Sequence, residues 1–144
     1  MRRLLVTLVA CAAAIASLPA AAAQPPDPCV LITTADASTA LGAVPRKAKP
    51  ETLGLYRSCT YKVGKKSMTV LTRHIATRGA FDKSAKANKG LVVPIQGVGA
   101  DAWSVNGTTL LVWDNGTEVT MSFFGVTPFV ATQQALAKTS VGRL

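Results

Sequence analysis

The chain has 144 residues, of which 49% are hydrophobic and 16% are charged, with 16 Lys and Arg residues against 7 Asp and Glu residues. This length accommodates one domain and argues against two. A charged fraction this low excludes an intrinsically disordered chain. The composition thus describes a globular chain with a formal net charge of +9.

The N-terminal segment, residues 1–23, has the pattern of a secretory signal peptide. Arg2 and Arg3 form a basic n-region, residues 4–18 are uncharged and apolar, and small alanines precede the predicted cleavage point after Ala23. The apolar run is shorter than a membrane-spanning helix requires. We therefore predict an extracytoplasmic protein, secreted or held in the periplasm or cell envelope, with no transmembrane segment after cleavage.

A lipid anchor is the alternative for this segment, because residues 8–11 match a lipobox that ends at Cys11. The apolar stretch before Cys11 is short for the h-region of a signal, and a second apolar stretch with its own cleavage site follows it. The pattern therefore favours an ordinary cysteine of the signal helix, with lipidation of Cys11 as the disfavoured alternative.

Two cysteines, Cys29 and Cys59, remain after removal of the signal peptide. An even count in an exported chain indicates a disulfide, and two cysteines allow a single intramolecular pairing. A catalytic thiol would need a partner base, and a zinc site would need more ligands than the sequence groups together. We predict a structural Cys29–Cys59 disulfide, after an extended leader at residues 24–28, in a single domain over residues 29–144.

The predicted elements of the first half follow from helix caps, alternation and turn residues. They are, in chain order, a short helix from an N-cap at Thr33 to Gly42, a loop at 44–52, a strand at 53–63, a turn at 64–66, a strand at 67–74 and a helix at 77–89 closed by Gly90. The loop is predicted because residues 44–52 contain two prolines and three basic residues.

The second half contains the most specific structural signal, two Asn-Gly pairs between alternating runs. Asn106-Gly107 and Asn115-Gly116 suit two-residue type I′ turns, since both central residues of that turn have positive φ. These turns predict a three-stranded meander in which Trp103 lies opposite Leu110. Trp103 then shares the core face of the sheet with Phe123.

A final helix is predicted from Thr127 as N-cap and Pro128 as the first helical residue. Its apolar arc, which is expected to lie on the sheet, consists of Phe129, Val130, Leu136, Ala137 and Val141. The predicted fold class is therefore α+β, with an antiparallel sheet made of a hairpin and a three-stranded meander and packed on one face by about three helices.

The sequence contains no recognisable catalytic constellation. The single histidine, His74, has no nucleophile linked to it by a known motif, and the seven carboxylates are scattered along the chain. Residues 97–102 match G-x-G-x-x-A, but a strand follows them, whereas a dinucleotide site needs a helix N-terminus there. We predict no catalytic residue, no metal ligand and no cofactor.

Positive charge is concentrated in the middle of the chain, since 12 basic and 2 acidic residues lie between Arg46 and Lys89. Such a field attracts anionic wall polymers or lipid head groups. Nucleic acid is not a predicted partner, because the protein is exported and no aromatic-studded basic strand is present. The alternative is a solvated basic face that only aids solubility. The candidate anion-binding residues are Lys62, Lys65, Lys66, Lys83, Lys86 and Lys89.

Three short motifs occur in order along the chain: Asp-Pro-Cys within residues 27–33, Cys-Thr-Tyr at residues 59–61, and Gly-Val-Gly followed by Ala-Trp within residues 97–103. Together they resemble an actinobacterial family of secreted proteins and lipoproteins of unknown function. The resemblance implies that Cys29 and Cys59 pair and that the protein belongs to the cell envelope, and it carries no catalytic residues. Many members of that family have a lipobox cysteine just before the domain, and this chain departs from them there.

These patterns leave three functional hypotheses. The first is a non-enzymatic exported domain of the cell envelope that binds an anionic component through the basic stretch. The second is a small-molecule or lipid carrier with a pocket beneath the sheet, indicated by Trp103 and Phe123 on the predicted core face. The third is a hydrolase that uses dispersed carboxylates.

Overall fold

A computed structural model describes residues 24–46, 48–88, 90–98 and 100–144. The predicted signal peptide with Cys11, and the candidate Lys89, lie outside the described residues. The helices are α1 (Pro28–Leu31), α2 (Thr34–Leu41), α3 (Arg78–Ala87) and α4 (Val130–Val141). The strands are β1 (Lys49–Leu53), β2 (Tyr56–Val63), β3 (Lys66–His74), β4 (Val92–Pro94), β5 (Asp101–Val105), β6 (Thr109–Asp114) and β7 (Thr117–Phe124).

The strands form one antiparallel sheet in the order β1-β2-β3-β7-β6-β5-β4. It consists of two meanders, β1–β3 and β4–β7, that are joined where β3 pairs with β7. This architecture confirms the predicted α+β class with an antiparallel sheet. The sheet has two more strands than the hairpin and meander that the sequence predicts, and a one-turn helix, α1, precedes α2.

Helices pack on both faces of the sheet, so the prediction that all of them lie on one face is wrong. On the first face, called the helical face, α1, α2 and α4 cover a large core that includes Tyr61, Met68, Leu110 and Met121. On the opposite face, α3 packs on β6 through Phe81. The reason lies in β6 itself, because its run of consecutive apolar residues presents large side chains to both faces and needs cover on each.

The register of the first Asn-Gly hairpin differs from the prediction by one residue. Val105 pairs with Thr109, so three residues rather than two connect β5 to β6, and Trp103 lies opposite Leu111 instead of Leu110. A one-residue slip moves every side chain of a strand to the other face. Trp103 therefore leaves the core that contains Phe123 and lies on the α3 side, where it packs against a smaller apolar cluster that includes Phe81 and Leu111.

Turn chemistry and packing together explain this register. Asn106 and Gly107 both have positive φ, as the Asn-Gly signal predicts, but the connection includes Thr108 as an extra residue. The slip puts the small Ala102 and Ser104 on the crowded helical face and the bulky indole of Trp103 under α3. The second Asn-Gly hairpin has the predicted register, since Asp114 pairs with Thr117 on either side of a two-residue turn.

Both edge strands were missed by the sequence patterns. Residues 49–53 form β1 although a loop was predicted over 44–52, and β4 was not predicted. Each edge contains a proline, Pro50 in β1 and Pro94 in β4. A proline cannot donate a ladder hydrogen bond, but an edge strand has one side without a partner and tolerates it. The prolines were therefore a signal for edges rather than for loops.

Helix ends were predicted best where a polar cap is present. Thr33 and Asp36 form the capping box of α2, and Gly42 ends that helix at φ 75°. The helix predicted over 77–89 is α3, whose N-cap is Thr77, but the helix ends at an Asn88 cap rather than at Gly90.

The predicted start of α4 is wrong. The helix begins at Val130 with Phe129 as its N-cap, whereas the prediction had Thr127 as the N-cap. Phe129 and Val130 are exposed rather than packed on the sheet. Gln133 is buried instead, and its amide donates to the carbonyl of Gly107 at 2.8 Å, which attaches α4 to the β5–β6 turn.

The predicted disulfide between Cys29 and Cys59 is present and joins α1 to β2. The same segment is also held by side chains, because the Tyr61 hydroxyl donates to the Ile32 carbonyl and Arg57 pairs with Asp27. These contacts attach the N-terminal part of the described chain to the sheet.

Removing the disulfide is expected to lower the free energy of unfolding by about 3–4 kcal/mol, since it closes a long loop in the unfolded chain. The separation of the two cysteines is 30 residues. The measurement is denaturant unfolding of the wild type and of the C29S/C59S double variant, each with and without reductant. Reductant should destabilise only the wild type. Equal stability of oxidised and reduced wild-type protein would contradict this structural role.

A second link involves the carboxylate of Asp36 in the α2 capping box. It accepts hydrogen bonds from the backbone N–H of Thr33 at 2.8 Å and from the Arg143 guanidinium at 2.6 Å. Burial acts to raise the pKa of Asp36, but the hydrogen bonds from Arg143 and Thr33 outweigh burial, and the pKa is lower than that of an ordinary aspartate. Asp36 thereby couples the start of α2 to the end of the chain.

Because the pKa of Asp36 is lower in the folded state, its contribution to stability is present above the unfolded pKa, about 3.9, and is lost as the pH falls through the folded value. We expect Asp36→Asn to lose about 1–2 kcal/mol at neutral pH. The difference in the free energy of unfolding between Asp36→Asn and wild type should become smaller as the pH falls. Urea unfolding from neutral to acidic pH measures it. Asp114→Asn is the control, because the Asp114 carboxylate accepts a hydrogen bond from the side chain of the adjacent Asn115 and so links no distant parts of the chain through that bond. A pH-independent loss would contradict the role of ionised Asp36.

Candidate functional site

One side of the sheet is only partly covered. The side of β1, β2, β3 and β7 that faces away from α1, α2 and α4 is called the open face here, and α3 covers the neighbouring β5–β6 part of that side. Strand pairing arranges polar side chains in rows across the open face, and one row runs from Lys49 through Thr60 and Thr69 to Ser122. The hydroxyls of Thr60 and Thr69 lie 3.3 Å apart.

At the β1 edge of the open face lies a cavity of about 350 Å³, called the basic cavity here. Its lining consists of three cationic side chains, one carboxylate and one hydroxyl, from Arg46, Lys49, Lys62, Glu51 and Thr60. All of these residues except the half-buried Thr60 are exposed, so the cavity is open to solvent-borne ligands.

Backbone pairing brings these residues together. Lys49 lies opposite Thr60 in the β1–β2 ladder, and Glu51 follows Lys49 on the same face because side chains alternate along a strand. The backbone N–H of Arg46 donates to the Lys62 carbonyl at 3.0 Å, which extends the pairing beyond the start of β1. The cavity therefore exists because Arg46 and the edge strand β1 both pair with β2.

The charges in the basic cavity do not balance. Lys49 pairs with Glu51 at 2.7 Å; this hydrogen bond lowers the pKa of Glu51, to which the charge of Lys62 adds, and raises the pKa of Lys49. No carboxylate within the described ranges forms an ion pair with Arg46 or Lys62. The cavity thus offers an anion two unneutralised cations beside the hydroxyl of Thr60.

The other predicted lysines lie elsewhere on the described chain. Lys65 and Lys66 are at the β2–β3 turn, and the Lys66 ammonium donates to the Leu41 carbonyl at the end of α2 at 3.4 Å. Lys83 is exposed on α3, and Lys86 on the same helix lines a different cavity. The six candidates therefore do not form a single cluster.

Of the candidate lysines, Lys62 alone among those described lines the basic cavity, and the structure adds Arg46 and Lys49 to it. Sequence reasoning missed both because they fall in the segment that was interpreted as a loop. The available signal was the alternation of Lys49 and Glu51 beside a proline, which is typical of an edge strand.

The carboxylates are largely engaged in ion pairs. Glu118 is the most buried of them, and it accepts from Arg73 at 2.9 and 3.0 Å and from the Thr120 hydroxyl. Ion pairs are formed by Asp27, Asp36, Glu51, Asp101 and Glu118. Two cavities are each lined by two carboxylates. One contains Asp101 and Asp114, and Asp101 is held there by Arg78. The other contains Asp27 and Glu51, which pair with Arg57 and Lys49. This arrangement gives the hydrolase hypothesis no pair of unengaged facing carboxylates among the described residues.

The described residues do not support the other classes of site that were considered. His74 is exposed at the end of β3. Within the described ranges, no group of His, Cys, Asp and Glu side chains has the arrangement needed to hold a metal ion. None of the helices there combines the length and the hydropathy needed to cross a membrane.

The fold and the cavity define an antiparallel α+β protein with a basic site at one sheet edge. Comparison with protein families, with curated proteins and with solved structures found no match to this chain. The functional inferences below therefore depend on the geometry of the chain's own residues.

Glu118→Gln is expected to lower the free energy of unfolding by about 2–3 kcal/mol, because it leaves the Arg73 guanidinium without its charged partner in a partly buried place. Thermal or urea unfolding measures this loss. Glu51→Gln is the matched control at the exposed Lys49 pair, and its stability should stay close to wild type. Equal effects of the two substitutions would contradict the structural role assigned to Glu118.

Proposed function

We propose that this protein is an exported, non-enzymatic domain of the cell envelope that binds the phosphate groups of an anionic envelope component. The observation that carries the proposal is the lining of the basic cavity. Arg46 and Lys62 have no carboxylate partner in the described ranges, and both border the same cavity as the Thr60 hydroxyl.

The compartment is inferred from two features. Residues 1–23 have the composition of a signal peptide, and the Cys29–Cys59 disulfide is typical of an oxidising compartment. The resemblance to secreted actinobacterial proteins supports the same location. In that location, phosphate-bearing lipid head groups are anions that attract a basic domain.

The chemistry of the basic cavity suits phosphate. A guanidinium donates two parallel hydrogen bonds to phosphate oxygens, an ammonium adds a point charge, and a hydroxyl adds a further donor. Arg46, Lys62 and Thr60 supply one of each. Excess positive charge in the surrounding stretch attracts the anion from a distance, which makes the association dependent on salt.

The test is binding of the mature protein to two probes that share phosphate chemistry, phosphatidylglycerol vesicles and a soluble phosphodiester polymer. We expect binding at low salt that weakens as salt is added. The R46Q/K62Q double variant should bind more than about tenfold more weakly, since it removes two charge-assisted contacts. Binding to vesicles alone would identify a head group as the ligand, and binding to the polymer alone would identify a wall polymer.

The matched control is K83Q/K86Q, which removes the same two charges from α3. It should retain nearly the affinity of wild type, and it also tests whether the α3 lysines belong to the binding surface. Equal losses in the two double variants would show non-specific attraction and contradict the assignment to the basic cavity. Absence of binding to both probes at low salt would contradict the proposed function.

A further inference from the structure

A second cavity lies between α3, the edge strand β4 and the neighbouring strand β5, at the opposite end of the sheet from the basic cavity. Its volume is about 300 Å³. It is lined by Arg78, Asp82, Ala85, Lys86, Val92 and Trp103. The volume is at the lower end of the range of small-molecule sites, which indicates a ligand of about one sugar ring.

Two buried polar atoms of this lining have no hydrogen-bond partner among the described residues. They are the Oδ1 atom of Asp82, an acceptor, and the Nε1–H of Trp103, a donor. The other indole of the protein, that of Trp113, donates to the Ile75 carbonyl at 3.1 Å. Buried polar groups without partners are rare, because each carries a desolvation penalty that a bound partner relieves.

The charges around the cavity indicate a neutral ligand. Arg78 is paired with Asp101 at 2.9 Å, so its charge is compensated at the rim. The remaining charges are the carboxylate of Asp82 and the ammonium of the exposed Lys86, which have opposite signs. Because these two charges oppose one another, the lining has no net attraction for a simple anion or a simple cation, and this favours a neutral molecule with donors and acceptors.

We propose that this cavity binds a neutral polyhydroxylated molecule of the size of a monosaccharide. A hydroxyl group both donates and accepts, so neighbouring hydroxyls of one ring satisfy the Asp82 carboxylate and the Trp103 indole N–H. The apolar part of the lining, from Ala85, Val92 and the Trp103 indole, suits the C–H groups of the same ring. This site is independent of the basic cavity and of the proposed phosphate binding.

The chain contains two tryptophans, and this permits a sharp test by NMR. In a ¹⁵N–¹H spectrum the two indole N–H signals are assigned with Trp103→Phe and Trp113→Phe. Glucose, N-acetylglucosamine and myo-inositol are then added up to about 50 mM, which saturates a site with a Kd of about 1 mM. We expect the Trp103 indole signal to shift with a saturable dependence, while the Trp113 signal, already bonded to Ile75, stays in place.

Asp82→Asn keeps the shape of the carboxylate but replaces an acceptor oxygen by a donor group. It should weaken the binding about tenfold, as expected for loss of a charged hydrogen-bond partner. Trp103→Phe removes the donor, and its several-fold weaker binding is followed through the backbone amides of Ala85 and Val92. Lys83→Gln, on the outer side of the same helix, is the control and should bind as wild type does.

Several outcomes would overturn the proposal. One is no shift of the Trp103 signal with any of the three molecules, which would mean that none of them reaches the two buried atoms. Another is a shift with sodium acetate or methylammonium chloride and none with the neutral probes. A loss of sugar binding in R46Q/K62Q would contradict the independence of the two cavities. Sugar binding without phosphate binding would leave this proposal standing while the proposed function failed.

Discussion

The pairing of β3 with β7 is the constraint on which the remainder of the structure depends. Eight residue pairs join Lys66–His74 to Thr117–Phe124, although paired residues such as Arg73 and Glu118 are 45 positions apart. On the helical face the ladder aligns Met68 with Phe123 in the core. Without this pairing each meander would keep an exposed edge strand and half of a core, and exposed edges invite pairing with other chains.

This central ladder also determines where α3 lies. The chain must pass from β3 in the middle of the sheet to β4 at its far edge, and α3 makes that passage over β6 on the side opposite α1, α2 and α4. The passage divides that side into a part covered by α3 and the open face. This division explains the position of both cavities. The basic cavity lies at the β1 edge of the open face, and the second cavity, which contains Asp82 and Trp103, lies at the border of α3.

The two cavities differ in how far the sequence could reveal them. The concentration of basic residues between Arg46 and Lys89 predicts an attraction for anions, but its members are distributed over the sheet edge, the β2–β3 turn and α3. Which cations converge is decided by the pairing of Arg46 and of β1 with β2. The second cavity has no local signal, since Asp82 and Trp103 are brought together by the register of the first hairpin and the position of α3.

The sequence by itself determined the features whose causes act within a few residues and, through the small number of cysteines, the disulfide. These include the capping box of α2, the presence of a helix after Thr77, the second Asn-Gly turn and the pairing of Cys29 with Cys59. Only the tertiary structure decided which face Trp103 occupies, which segments form the edge strands and which residues line each cavity. The physical reason is that a strand's faces are set by its partners, and a shift of one residue, as at Thr108, reverses them.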